Sequence, residues 1–212
     1  MTAQDDPAGY LELRARIRGK FALEALYREV YAKYAECLAR CGSDGAVVEL
    51  GSGAGFAQDL IPGLIATDIL AYAGLDLVLD GRRLPFASGT LRAIFMYNVF
   101  HHVPDAGALL AECERVLRPG GRVLILEITR PPGALANTLL RAYMRGVVPT
   151  IARLVARRPQ TAELWRYYWD TIEACAPPAA VLRTLADAGF ASVERHVELG
   201  IFSEYRASKP AV

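Results

Sequence analysis

The run Val47-Val48-Glu49-Leu50-Gly51-Ser52-Gly53-Ala54-Gly55-Phe56 carries the clearest chemical signal in this sequence. An apolar, β-rich stretch leads into a loop with glycine at every second position. Glycine lets a backbone turn sharply and approach a ligand closely, and a helix starting behind the loop, read here in FAQDL (56–60), offers free N–H groups to an anionic group. Two further acids stand where a nucleoside needs acceptors. Asp68 ends a second apolar run (LIATD) and can accept from both ribose hydroxyls; Asp80 ends a third (LDLVLD) and can accept from an adenine amino group. The carboxyl ends of parallel strands are where open α/β sheets hold ligands. Singly, each acid also reads as a turn-former or cap. Three consecutive strands ending in Glu49, Asp68 and Asp80 make that reading much weaker.

Spacing separates the candidate cofactors. A dinucleotide loop wants GxGxxG, whose third glycine falls on position 56, and that residue is Phe56. The GxGxG found here weakens a nicotinamide-dependent oxidoreductase. No Lys follows the loop, so it is not the GxxxxGK[ST] of a nucleotide triphosphatase.

The elements around these residues alternate. Short β-rich runs (AVVEL, LIATDIL, LDLVLD, AIFMYNVF, RVLILE) are interleaved with helical or turn segments over 46–127, which gives an α/β fold with a Rossmann-like, doubly wound, mostly parallel sheet. Residues 10–40 have helical apolar spacing, and ALLAECERVL is a helix set off from RVLILE by a turn at RPGG. Residues 135–175 read as a helical lid insert broken at Pro149 and Pro159. The helix PAAVLRTLADAG then precedes two edge strands, SVERHVEL and FSEYRAS, paired like a hairpin, one antiparallel to the sheet. With 212 residues, 53% of them apolar, the expectation is one domain. Its parts are N-terminal helices (1–43), a cofactor-binding core (44–127), the insert (128–176) and a C-terminal helix with edge strands (177–212). The formal net charge of +1 argues against a surface built for nucleic acid. MTAQDDPAGY has acids where a secretory leader needs a basic start, no apolar stretch is long enough to span a bilayer, and four scattered cysteines without CxxC read as reduced thiols. The compartment expected is therefore cytoplasmic.

Five motifs in order, ELGSGAG, Asp68, DGRRLPF (80–86), NVFHHVPD (98–105) and RVLRPGGRVLILE (115–127), resemble the class I S-adenosylmethionine-dependent methyltransferases, and among them those of ubiquinone and menaquinone biosynthesis and their small-molecule relatives. The likeness is best over 44–127 and runs more faintly to GIFSEYRASK. It implies S-adenosyl-L-methionine as cofactor, with Glu49, Gly51, Ser52 and Gly53 beside its methionine part. It also implies Asp68 and Ile69 at the ribose, Asp80 and Gly81 at the adenine, and Asn98 with Val99 on the sulfonium side. Two departures stand out. Only twelve residue steps separate Asp68 from Asp80, so the helix normally between these strands is lost and the N-terminal helices are left to cover that face. Where quinone-ring methyltransferases carry a basic residue after Ser-Ile, here Thr171-Ile172, this chain has Glu173, which bears on the acceptor and not on methyl transfer.

Methyl transfer from a sulfonium is an in-line displacement, so the protein chiefly aligns its reactants, and no metal is needed. A base helps where a hydroxyl or ring carbon must lose a proton. His101 and His102, just past the fourth strand, are the candidates; neighbours in sequence point apart, and His101 is preferred. The other reading is an imidazole bonded to backbone that shapes the loop. Tyr143, Arg145 and Tyr167 could meet the acceptor from the insert, or merely pack or face water. From Ile128 to Ala162 there are six arginines and no acid, among interleaved apolar residues. This suits a lid with an apolar inner face, or else a peripheral contact with an anionic membrane. The acceptor expected is a small, largely apolar molecule (aromatic, quinone-like or polyketide-like), and the chain a monomer or homodimer. The competing reading is a non-catalytic cofactor-binding or partner-subunit module on the same fold.

Overall fold

The computed structural model describes residues 7–131, 133–148, 150, 169, 173 and 175–211. Helices α1 (Pro7–Arg18) and α2 (Phe21–Leu38) precede strands β1 (Ala46–Leu50), β2 (Leu64–Asp68), β3 (Leu77–Val78) and β4 (Leu91–Tyr97). Helix α3 (Ala106–Val116) leads directly into β5 (Leu117–Ile128). Then come α4 (Ala134–Ala142), a π-helical turn (Tyr143–Val147), α5 (Pro178–Asp187), β6 (Ala191–Glu198) and β7 (Phe202–Ser208). The seven strands form one sheet in the order β3-β2-β1-β4-β5-β7-β6. β1 to β5 are parallel, and β7 runs antiparallel to both β5 and β6. This is the Rossmann-like sheet that the alternation of runs leads one to expect, with the C-terminal hairpin at its edge.

Period-two alternation sorts the strand side chains into two cores. Val48, Leu50, Ile94, Met96, Val123 and Ile125 face α3 and α5, meeting Leu109, Leu110, Val181 and Leu185. Val47, Ala93, Phe95, Leu124 and Leu126 face the other way, toward Val30, Tyr31 and Tyr34 of α2. Both crossover helices on that second side are missing. After the glycine loop the chain makes only a single 3-10 turn, Ala57–Asp59, where a short helix over FAQDL was expected. No helix forms between Asp68 and β3 either, as the short spacing implies. The N-terminal helices fill the gap. Tyr34 stacks on Phe95 with ring centroids 4.2 Å apart, Tyr10 of α1 meets Tyr72 at 4.8 Å, and Arg18 bonds Asp59 at 2.6 Å.

Three boundaries differ from the sequence reading. β3 is only two residues long and both are exposed, so Asp80 lies beyond the strand and not at its end. β4 stops at Tyr97, and Phe100–His102 form a 3-10 turn. The RPGG segment, expected as a turn ahead of the strand, belongs to β5, because Gly120 N–H donates to Lys209 O (3.0 Å) and Gly121 O accepts from Lys209 N–H (2.9 Å).

Of the insert, α4 and the π-helical turn bury no residue. Leu135, Leu139, Tyr143 and Val147, spaced by four, are all exposed. Pro149, Pro159, Arg153, Arg157, Arg158, Tyr167, Thr171 and Ile172 lie outside the described residues. Among the described residues no helix is long and apolar enough to cross a membrane.

Because Phe95 is fully buried under Tyr34, Phe95→Ala should cost about 3–5 kcal/mol of stability in urea unfolding. Phe21→Ala, at a residue 89% exposed, should stay within about 0.5 kcal/mol. Similar midpoints for the two variants would contradict the packing of α2 on the sheet.

Candidate functional site

Strand order reverses between β1 and β4, and loops leaving neighbouring strands there open a crevice at their carboxyl ends. The glycine loop follows β1, and the Asn98–Val99 turn follows β4. Gly51 has φ +69°, and a Cβ on it would lie 2.4 Å from Val99 Cγ2, so the two loops close on each other only with glycine here. Asn98 takes φ +53°, a region that Asn tolerates better than most side chains. It is held by Asn98 N–H to Leu126 O (2.8 Å) and by Ile128 N–H to Asn98 Oδ1 (3.3 Å).

The loop is tied to the end of β2. Ser52 N–H donates to Thr67 O (2.8 Å), Thr67 N–H to Ser52 Oγ (3.2 Å), and Thr67 Oγ1 to Glu49 O (2.7 Å). Gly53 N–H donates to Asp68 Oδ2 at 3.0 Å. The same carboxylate accepts from Leu70 N–H (3.0 Å, on Oδ1) and from the Tyr72 hydroxyl (3.2 Å, on Oδ2). Each carboxylate oxygen takes about two hydrogen bonds, so Oδ1 retains capacity, and the Tyr72 hydroxyl occupies a position that a ligand hydroxyl could take over.

Glu49 is buried beside the loop, where its Oε1 accepts from the Tyr34 hydroxyl at 3.0 Å. Burial pushes its carboxyl up to about 7, against the pull of Ser52, Tyr34 and Arg14. Asp80 differs: it is only half-buried, and both its oxygens are engaged by Arg82, at 3.1 Å from Nε and 2.7 Å from Nη2. The Arg82 contacts hold its carboxyl below the usual range. At Gly81 a Cβ would sit 2.6 Å from Leu109 Cδ1, so glycine is what the close passage of α3 allows.

His101 makes the shortest contact in the crevice, Nδ1 to Glu127 Oε2 at 2.6 Å. The other oxygen of Glu127 accepts Phe100 N–H at 2.7 Å, which fixes the buried carboxylate against the turn carrying His101. A carboxylate partner at Nδ1 favours the tautomer that carries its proton on Nδ1 and leaves Nε2 as the acceptor nitrogen of the neutral ring. His102 is exposed and packs ring to ring with His101 at 4.0 Å. Cys175 Sγ lies 3.2 Å from Ile128 O and 3.9 Å from Glu127 Oε2. One donor atom each from His101, Glu127 and Cys175 falls within 4.8 Å of the others. The 2.6 Å between two of them is a hydrogen bond, shorter than the ~3.3 Å that two ligands of one tetrahedral ion keep.

A cavity of about 540 Å³ opens at these groups. It is lined by all ten residues read as cofactor-binding (Glu49, Gly51, Ser52, Gly53, Asp68, Ile69, Asp80, Gly81, Asn98 and Val99) and by His101 and His102. Tyr143 is not among the lining residues. It is 52% exposed on the π-helical turn, and helical periodicity alone could not say which side of the insert faces inward. Sequence reasoning missed Glu127, Cys175, Tyr72 and the tyrosines of α1 and α2 that reach the cavity: Tyr10, Tyr27 and Tyr31. For Glu127 the signal was present, since it is an acid at the carboxyl end of a strand like Glu49 and Asp68. The Tyr31 hydroxyl accepts Phe56 N–H at 2.8 Å, a contact across 25 residues that no local pattern encodes.

Comparison with known proteins agrees with this architecture. The model of the ubiE/COQ5 methyltransferase family matches residues 71–209, and the chain belongs to that family. The match begins beyond the glycine loop and Asp68, so the reading of those residues rests on the geometry above. A demethylmenaquinone methyltransferase of Mycolicibacterium paratuberculosis is 34% identical over 132 residues, 62% of this chain and 56% of the relative. One from Clavibacter sepedonicus is 32% identical over 160 residues, 73% of this chain and 64% of the relative. The chain thus spans little more than half the length of such relatives. Among solved structures, a SAM dependent methyltransferase from Aquifex aeolicus covers 96% of this chain and 98% of its own at TM-score 0.56 and 19% identity. The CurJ carbon methyltransferase covers 87% of this chain and 54% of its own at TM-score 0.55 and 17% identity. At these identities the structures show the fold.

Glu49 sets a pH dependence. Its folded value of about 7 exceeds the ordinary 4.5, so unfolding releases a proton between those limits and stability falls as pH rises from about 4.5 through 7. The full loss, about 3 kcal/mol, applies above neutrality. Glu49→Gln should remove that slope and be the more stable protein at pH 8, measured by urea midpoints against pH. A slope that survives the substitution would place its origin elsewhere.

Proposed function

We propose that this chain is an S-adenosyl-L-methionine-dependent methyltransferase acting on a carbon or oxygen atom of a small, largely apolar acceptor. The observation that carries the reading is the cavity at the strand-order reversal that brings together the glycine loop, the Asp68 carboxylate and His101, whose ring is held from behind by Glu127. Its volume lies in the range of small-molecule sites. The residues fit the cofactor where it makes most demand: a backbone that only glycine can supply at Gly51, and a carboxylate with unfilled acceptor capacity at Asp68.

When bound, the cofactor supplies a methyl group already activated on a sulfonium. The chain's own part is binding, alignment and the proton. Asp68 accepts ribose hydroxyls, with Tyr72 giving way. Asp80, already oriented by Arg82, borders the adenine side. Glu49, in its buried place beside the loop, borders the methionine part. His101 takes the acceptor's proton at Nε2, while Glu127 keeps the ring in one tautomer and steadies the imidazolium that results. The names of the relatives, demethylmenaquinone methyltransferase and carbon methyltransferase, favour a ring or activated carbon as the atom methylated. Glu173, standing where the quinone enzymes carry a basic residue, lies 3.7 Å from Arg141 of α4, which returns a cation to that neighbourhood.

The insert is proposed as the route by which a lipophilic acceptor arrives, whether as a lid or as a contact with an anionic membrane. The exposed row Leu135, Leu139, Tyr143 and Val147 and the local excess of arginine support the second use. Failure to sediment with vesicles rich in anionic lipid would leave the lid alone.

Methyl-labelled cofactor and demethylmenaquinol or a phenolic acceptor test the reaction. Asp68→Asn should abolish cofactor binding by calorimetry. His101→Ala and Glu127→Gln should bind it as tightly as the parent yet lose about 10²–10⁴ in turnover. Unchanged affinity in Asp68→Asn would refute the site. Binding with no labelled product from any acceptor would favour a non-catalytic module.

A further inference from the structure

The rim of the sheet opposite the cavity carries a second cluster with its own chemistry. Cys37 closes the last turn of α2, and Cys41 follows it by four residues, its Sγ 3.3 Å from Cys37 O. Around them stand arginines brought in by separate strands. Arg92 lies at the start of β4, Arg118 and Arg122 in the first half of β5, and Arg206 near the end of the antiparallel β7. Arg122 and Arg206 line a small cavity together with Cys37, its volume about 10 Å³, enough for one water-sized molecule. The Arg118 guanidinium lies against Gly42, next to Cys41, where a Cβ would sit 2.8 Å from Nη2. Arg92 Nη1 approaches Gly42 O at 3.5 Å.

The charges in this cluster do not cancel. Arg206 is paired with Glu204 and Glu36. Among the described residues, the buried Nε–H groups of Arg92, Arg118 and Arg122 have no hydrogen-bond partner. Guanidinium in excess over carboxylate stabilises an anion, and a thiolate is an anion this chain can generate there.

We propose that Cys37 and Cys41 form a peroxide-sensitive dithiol, in which Cys41 is the thiol oxidised first and Cys37 the one that closes a disulfide on it. The Cys41 thiolate attacks one oxygen of a hydroperoxide; the O–O bond breaks, the other oxygen leaves as alcohol or water, and Cys41 becomes a sulfenic acid. The Cys37 sulfur then attacks that sulfur, the S–O bond breaks, and hydroxide leaves with the Cys37 proton as water. Two thiols lose two electrons, and the peroxide gains them. Cys37 lies in the last turn of α2 and Cys41 beyond its end, so only one of the two sulfurs is carried on helical backbone.

The other thiols are poorly placed for this. Burial pushes Cys113 and Cys175 up to about 12. Cys41 is drawn down to about 7, by its Cys37 neighbour first and by Arg122, Arg118 and Arg92 against the cost of partial burial. A thiol lowered in this way holds more thiolate at neutral pH than an ordinary cysteine. The pair also has a physical link to the cavity: Tyr34, one turn before Cys37 on α2, holds the Glu49 carboxyl.

The test treats the whole chain with a few equivalents of hydrogen peroxide at pH 7 and maps thiols by peptide mass spectrometry. Separately, it measures iodoacetamide alkylation rates for each cysteine. Cys41 should alkylate at least tenfold faster than Cys113 or Cys175, and peroxide should join Cys37 to Cys41 within one chain. Cys37→Ser should leave a sulfenic acid on Cys41 that dimedone traps, Cys41→Ser should leave Cys37 unoxidised, and Arg118→Gln with Arg122→Gln should slow Cys41 alkylation several-fold. Alkylation of Cys41 no faster than the buried thiols, or peroxide oxidation that starts elsewhere, overturns the proposal. Both readouts come from the unaltered chain, so they hold even if a variant fails to fold.

Discussion

The candidate site depends on one hydrogen bond pattern: the Asp68 carboxylate at the end of β2 accepting Gly53 N–H from the loop after β1. That contact joins two neighbouring strands above their last paired residues, Leu50 and Thr67, and keeps the loop open as a cradle. A loop so rich in glycine would otherwise sample many conformations, at a large entropy cost to order. Thr67 and Ser52 reinforce the tie from below, and Val99 limits it from the other side. The crevice is therefore built largely before any ligand enters, with Tyr72 holding a place on the carboxylate.

The same constraint explains the unusual economy of this side of the sheet. With both crossover helices reduced to turns, the face formed by Val47, Phe95 and Leu124 would meet water. Helix α2 covers it with Tyr27, Tyr31 and Tyr34 on one stripe, and these rings pack, stacked or edge-on, against Phe56, Phe95 and one another. Tyr31 and Tyr34 each present an apolar ring to the core and a hydroxyl to a polar partner. Tyr31 meets a loop N–H and Tyr34 the Glu49 carboxyl, so the helix that replaces missing core also positions the site.

Much of this was legible in the residues. Strand alternation located β1, β2, β4 and the C-terminal pair, because buried strands of a parallel sheet read as apolar runs bounded by turns. The glycine loop and Asp68 were legible because their residue types are dictated locally. The helix after the loop was misread, since five residues cannot specify whether one 3-10 turn or a longer helix follows. Asp80 was given a strand end that β3 does not reach, and Arg82, two residues on, takes its carboxylate. Tyr10, Tyr31 and Tyr34 could not be assigned from spacing, because their partners lie far along the chain. Glu127 could have been, by the argument already applied to Asp68.

The most direct measurement is a crystal structure of the chain with S-adenosylhomocysteine. The account requires both ribose hydroxyls on the Asp68 carboxylate, the Tyr72 hydroxyl moved off it, and the Gly53 contact intact. A ligand seated elsewhere, or one whose ribose leaves Asp68 bonded to Tyr72 as it is now, would contradict it.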